Sequence, residues 1–227
     1  MKKIFFAIVL LMVEFASHAQ ITMPATYKYT KRVFGEPSCE QITSYFIFNS
    51  ANDVIWCLES SDGYIFPIAF GSCNFSSHNM VFNQSISSFS AFYDGPIRFS
   101  IYEKNGGLEI CTNNEYIEFM FDDNGTALLR KCDYTLSSSK NLVGSSWKFE
   151  DYNTKEKIVL YFKSKTEVLL DGEPHGYILI GNTVGILCGD NPAKEALVGK
   201  YYDRKMNIHR SGYTKREYPW FELDRIN

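Results

Sequence analysis

Short runs of alternating apolar and polar residues dominate the chain, and most are bounded by Gly, Asn, Asp or Ser. Alternation with a period of two places successive side chains on opposite faces of a β-strand. The pattern predicts strands at 44–49, 53–58, 63–70, 79–83, 97–102, 107–112, 115–121 and 126–132, and then at 147–151, 156–163, 166–171, 175–181, 183–188, 199–209 and 217–225. Strands this closely spaced, without crossover helices, predict an all-β protein of antiparallel meander strands.

A short polar segment, Ser137 to Asn141, separates the two groups of strands. It predicts two small packed barrel or sandwich domains, at 20–138 and 139–227. The runs at 158–162 and 177–180 are apolar on both faces, whereas an isolated barrel would show polar residues on its outer face. Either the second domain packs on the first, or the whole chain forms one two-layer sandwich.

A weak internal repeat favours the two-domain interpretation. Phe46-Ile47-Phe48 is followed by Val54, and Leu160-Tyr161-Phe162 is followed by Val168 at the same spacing. If this similarity is a true repeat, the copies occupy equivalent strands of two similar domains. A coincidence between two β-meanders is the alternative.

Residues 1–19 have the pattern of a secretory signal peptide. Lys2 and Lys3 precede an apolar run from Ile4 to Val13, and Ala19 suits cleavage before Gln20. The run is far shorter than the roughly twenty residues that span a bilayer, so no membrane span is expected. We expect an exported protein, periplasmic or extracellular after cleavage.

The composition limits the kinds of partner that we expect. Hydrophobic residues make up 45% of the chain, which excludes wholesale disorder, and the formal charge is −3. An electrostatic nucleic-acid binder would need clustered Lys and Arg, so no nucleic-acid partner is expected.

The cysteines predict disulfides, because an even number of cysteines in an exported protein favours bridges. We expect at least one bridge among the five candidates of the first half and a free thiol at Cys188. The candidates are Cys39, Cys57, Cys73, Cys111 and Cys132.

No catalytic or metal-binding pattern emerges from the chain. A Gly-x-Ser-x-Gly elbow is absent, and no spacing suggests three or four converging zinc ligands. We therefore assign no catalytic residue, metal or cofactor. Paired carboxylates that meet only in the fold leave a hydrolase open.

Residues 142–227 resemble a lipocalin-like (calycin-type) β domain of exported Bacteroidetes proteins. The resemblance rests on Leu142-Val143-Gly144-Ser145-Ser146-Trp147 and on the step from Tyr177 to Gly181-Asn182. Strict lipocalins have Gly-x-Trp, whereas here one more residue separates Gly144 from Trp147.

The resemblance implies a structural pair in which Arg225 of the last strand stacks over Trp147 of the first. It also implies an inward-facing set that lines a cavity for an apolar ligand. That set is Trp147, Phe149, Phe162, Tyr177 and Leu223. In the last strand, Trp220 is expected to face outward.

These observations favour an exported, non-catalytic binding protein that holds a small apolar ligand in the lipocalin-like domain or contacts a surface partner. The alternative is a protein-interaction or inhibitor module with a filled core. A hydrolase without a recognisable motif is the third hypothesis.

Overall fold

The described residues form sixteen antiparallel strands, which make two closed eight-stranded barrels. The computed structural model describes residues 21–33, 40–60, 63–87, 95–114, 120–122, 124–189, 196–210 and 220–227. The predicted fold class, an all-β meander of two small barrels, is confirmed. The single-sandwich alternative is wrong, because the last strand of the first barrel and the first strand of the second belong to different sheets.

The first barrel closes when its first strand pairs with its last, Thr26 opposite Cys132. Its strands are β1 (Ala25–Val33), β2 (Glu40–Phe48), β3 (Val54–Glu59), β4 (Ile65–Ser76), β5 (Asn79–Ser87), β6 (Ile97–Lys104), β7 (Gly107–Cys111) and β8 (Thr126–Cys132). The sequence pattern missed β1, because its outer positions are Lys and Thr and its inner positions are tyrosines rather than aliphatic residues. The strand predicted at 115–121 is wrong at its end, where Met120 and Phe121 lie outside any strand, and 115–119 lie outside the described residues.

The second barrel closes through the pairing of Arg225 with Trp147. Its strands are β9 (Ser146–Glu150), β10 (Lys157–Phe162), β11 (Glu167–Leu170), β12 (Glu173–Ile180), β13 (Thr183–Leu187), β14 (Ala196–Tyr201), β15 (Lys205–Arg210) and β16 (Trp220–Arg225). The single strand predicted at 199–209 is two strands joined by a turn at Tyr202–Arg204. That turn contains no Gly or Pro, the usual sequence signals of a turn.

The internal repeat occupies equivalent positions in the two barrels. Phe48 pairs with Val54 where the second and third strands of the first barrel meet, and Phe162 pairs with Val168 at the matching place in the second. Both hairpins therefore have the same register. The repeat is a property of the fold in both halves.

The barrels pack against each other through outer faces that are apolar. Tyr45, Ile47, Ile55, Cys57, Phe70 and Ile86 from the first barrel and Ile180, Ala196 and Val198 from the second form one buried cluster, which we call the barrel interface. Tyr134 and Leu136, from the segment between the barrels, pack against it. The apolar outer face of 177–180 is thus explained by packing. The outer face of β10 is not covered in this way, because Tyr161 is 39% exposed.

A glycine allows the two barrels to approach closely. A Cβ atom at Gly185 of β13 would lie 2.9 Å from Ile86 Cδ1 and 3.0 Å from Phe70 Cδ2. Contacts this short are rare for real Cβ atoms, so a larger residue at 185 would force the Ile86 or Phe70 side chain to move.

Replacing Phe70 tests how much the barrel interface stabilises the protein. Phe70 is fully buried there, so Phe70→Ala should lower the free energy of unfolding by about 3–5 kcal/mol. Tyr161→Ala removes an aromatic ring from an uncovered outer face and should cost less than about 1.5 kcal/mol. Urea unfolding measures both. Equal losses in the two variants would contradict a stabilising interface.

Candidate functional site

The five residues predicted to line a cavity lie in the core of the second barrel. Trp147, Phe162, Tyr177 and Leu223 are buried in one cluster, and the partly buried Phe149 packs against it. The Phe162 and Tyr177 rings meet edge to face with centroids 5.0 Å apart, and the Tyr177 hydroxyl donates to the Ser164 carbonyl at 2.8 Å. Each side chain therefore has packing partners within the protein. Ligand binding by this set stays a prediction.

The Leu-x-Gly-x-x-Trp motif forms a hydrogen-bonded plug at one end of this core. The Ser145 hydroxyl donates to the Leu142 carbonyl at 2.6 Å and accepts from Trp147 Nε1 at 2.9 Å. Leu142 is buried in the core, and Gly144 takes a positive φ of 85°. Compared with Gly-x-Trp, this motif has one extra residue between Gly144 and Trp147. That residue belongs to the turn that places the Ser145 hydroxyl next to the Trp147 indole.

The structure brings Arg225 and Trp147 together. The two residues pair across β16 and β9, and the guanidinium carbon lies 5.9 Å from the centre of the indole ring. Arg225 Nε also donates to the Asn227 carbonyl at 2.6 Å. Because the guanidinium is exposed, its attraction to the ring is at the weak end of such contacts, about 0.5–1 kcal/mol.

The expected disulfide is wrong for the described cysteines. Cys57, Cys73, Cys111 and Cys132 all carry free thiols. The Cys188 thiol donates to the Ile186 carbonyl at 3.7 Å. Cys39 lies outside the described residues. Burial raises the pKa of both the Cys57 and the Cys73 thiol to about 12, which keeps them protonated and unreactive.

Strand register explains why no bridge forms. Cys57 pairs with Pro67 of the next strand, and Pro67 lies six residues from Cys73. Cys111 pairs with Thr126 of the next strand, and Thr126 lies six residues from Cys132. Six residues along a strand span about 20 Å. A disulfide needs Cα atoms about 4.4–6.8 Å apart. Any other pair among the four described cysteines of the first barrel lies on strands that are not neighbours.

A groove of about 580 Å³ lies where the two barrels and their connecting segment meet. We call it the seam groove. Its apolar lining includes Ile47, Leu136 and Ile180, and its polar lining includes the serines of 137–139. The groove combines side chains from β2, from the connecting segment and from β12, so it exists only because the barrels pack together.

A half-buried lysine lies among three tyrosines at the same junction. Lys200 Nζ is 5.8 Å, 5.7 Å and 5.9 Å from the ring centres of Tyr64, Tyr134 and Tyr202, and it donates to the Tyr134 hydroxyl at 3.1 Å. We call these four residues the lysine–tyrosine cluster. Burial lowers the pKa of Lys200 below its ordinary value and raises the pKa of Tyr64 and Tyr134.

The sequence analysis missed this cluster. One signal was present: Ala196, Val198 and Lys200 share the outer face of β14, which changes from apolar to polar along its length, and Tyr202 follows the end of the strand. The buried part of that face packs on the first barrel, so Lys200 lies at the margin of the barrel interface. Two of the tyrosines around it, Tyr64 and Tyr134, come from distant parts of the chain, which periodicity does not bring together.

Within the described residues, no group of three or more His, Cys, Asp or Glu side chains is placed to hold a metal ion. No helix in that part of the chain has the length and apolarity needed to cross a membrane. Phe221 and Leu223 of β16 are both buried, as alternation along a strand places every second residue on the same face. The side chain of Trp220 lies outside the described residues, so its outward orientation stays a prediction.

Removal of the Ser145 hydroxyl tests the plug. Ser145→Ala leaves the buried Trp147 N–H without its acceptor and should lower the free energy of unfolding by about 1–3 kcal/mol. Ser146→Ala, at the next position, is the matched control and should change it by no more than about 0.5 kcal/mol. Urea unfolding measures both. If Ser145→Ala is as mild as the control, the hydrogen bonds to Ser145 do not stabilise the barrel.

Comparison with known family models and curated proteins finds no match to this chain. The resemblance of residues 142–227 to lipocalin-like domains therefore rests on the motifs themselves.

Proposed function

We propose that this is an exported, non-catalytic binding protein, with a small amphipathic molecule as its ligand in the seam groove. The observation that carries the proposal is the groove itself, whose volume of about 580 Å³ suits a small molecule. Ligand sites in proteins typically occupy about 300–1,000 Å³ and often lie between domains. Export rests on the sequence of residues 1–19, which lie outside the described residues.

The lining of the groove indicates the chemistry of the ligand. Ile47, Leu136 and Ile180 offer an apolar surface, while Thr26 and the serines of 137–139 offer hydroxyl groups. Such a surface favours a ligand with one apolar face and one edge that carries hydroxyl or carbonyl groups. The interior of the second barrel is a less suitable place, because Trp147, Phe162 and Leu223 are almost fully buried in contact with their neighbours.

A fluorescent apolar probe tests the proposal. N-phenyl-1-naphthylamine should bind the wild-type protein, and Ser138→Trp should abolish binding because the indole occupies groove volume. Asn153→Trp places the same ring on an exposed turn of the second barrel and should leave binding unchanged. Fluorescence titration gives the dissociation constants.

Three outcomes would contradict the proposal. If the wild-type protein does not bind the probe, the groove does not accept a ligand of this kind. An equal loss in both variants would mean that an added tryptophan perturbs the protein generally. Unchanged binding in Ser138→Trp would move the site elsewhere, and a further loss in Phe162→Ala would then favour the interior of the second barrel.

A further inference from the structure

The lysine–tyrosine cluster contains hydrogen-bond donors that lack acceptors. Lys200 Nζ carries three N–H groups, of which one is donated to the Tyr134 hydroxyl at 3.1 Å. In the part of the chain that the structure describes, no carboxylate oxygen lies within 4.0 Å of this nitrogen. Tyr134 accepts this bond and donates its own proton to no described acceptor. The cluster therefore presents one half-buried positive charge and several donors without a matching anion.

The tyrosine rings stabilise the Lys200 charge only in part. A cation is attracted to an aromatic face, but a carboxylate attracts it more strongly and also accepts its N–H groups. Other lysines of the second barrel illustrate the contrast, since Lys163 is paired with Glu167 at 2.7 Å and Lys205 with Glu222 at 2.7 Å. Lys200 is more buried than these two and has no such partner among the described residues.

We infer that the lysine–tyrosine cluster is an anion-binding site that takes the carboxylate of a small aromatic or apolar acid. The ligand enters from the side of Tyr202, whose side chain is 42% exposed. Its carboxylate accepts from Lys200 Nζ and from the Tyr134 hydroxyl, and its apolar body lies against the Tyr202 ring. This inference goes beyond binding in the seam groove and does not depend on it.

The charges nearby favour an anion with a single negative charge. The cluster supplies one positive charge from Lys200. The Glu59 carboxylate lies one ring beyond Tyr134: it accepts from the Tyr45 hydroxyl at 2.7 Å, and the Tyr45 ring centre is 5.3 Å from that of Tyr134. A second negative charge on the ligand would find no second cation in the cluster to balance it. A carboxylate is therefore preferred to a dianionic phosphate.

Calorimetric titration with sodium benzoate, at constant ionic strength, tests the inference. Benzyl alcohol has the same ring without the charge and should bind at least tenfold more weakly, as should inorganic phosphate. Lys200→Met keeps most of the side-chain volume and should weaken benzoate binding at least tenfold. Lys163→Met removes a paired lysine of the same barrel and should leave it unchanged.

Equal affinities for benzoate and benzyl alcohol, or an unchanged dissociation constant in Lys200→Met, would overturn the inference. Phosphate bound more tightly than benzoate would overturn the preference for one charge. If Lys200→Met does not fold, NMR titration of the Lys200 ammonium in the wild-type protein decides. Saturating benzoate should raise the pKa of Lys200, because the bound carboxylate stabilises the charged form. An unchanged pKa would contradict a contact between them.

Discussion

The burial of two apolar outer faces against each other is the constraint on which the rest of the structure depends. A closed barrel satisfies its own backbone hydrogen bonds and usually exposes its outer face to water. Here β2 to β5 carry outward apolar side chains such as Ile55 and Phe70, and β12 to β14 carry Ile180 and Val198. Neither set could be solvated without losing the free energy that burial supplies. The two barrels therefore pack together, and Gly185 gives them the room to do so.

The same contact creates both candidate sites. The segment between the barrels follows the margin of the barrel interface, where Tyr134 and Leu136 pack against it. Tyr134 lines the seam groove and also surrounds Lys200. A lysine at this margin loses part of its hydration without gaining a carboxylate among the described residues, and a groove remains where two convex surfaces meet. Both proposed sites thus lie between the barrels rather than at their centres.

The sequence predicted the fold well and the sites poorly, for physical reasons. Alternation along single strands depends on local side chains, so most of the strands could be predicted. The first strand was missed because its inward tyrosines do not stand out from its polar outward residues. Strand register keeps the cysteines of neighbouring strands too far apart to form a disulfide. Register is set by strand pairings that composition does not reveal. The cluster around Lys200 needed contacts between residues more than sixty positions apart.

Differential scanning calorimetry of the intact protein tests the central claim most directly. If the barrel interface is part of one cooperative structure, the two barrels unfold together. The account predicts a single transition whose calorimetric and van't Hoff enthalpies agree. Two separate transitions, one for each barrel, would show that the barrels are stable independently and would contradict it.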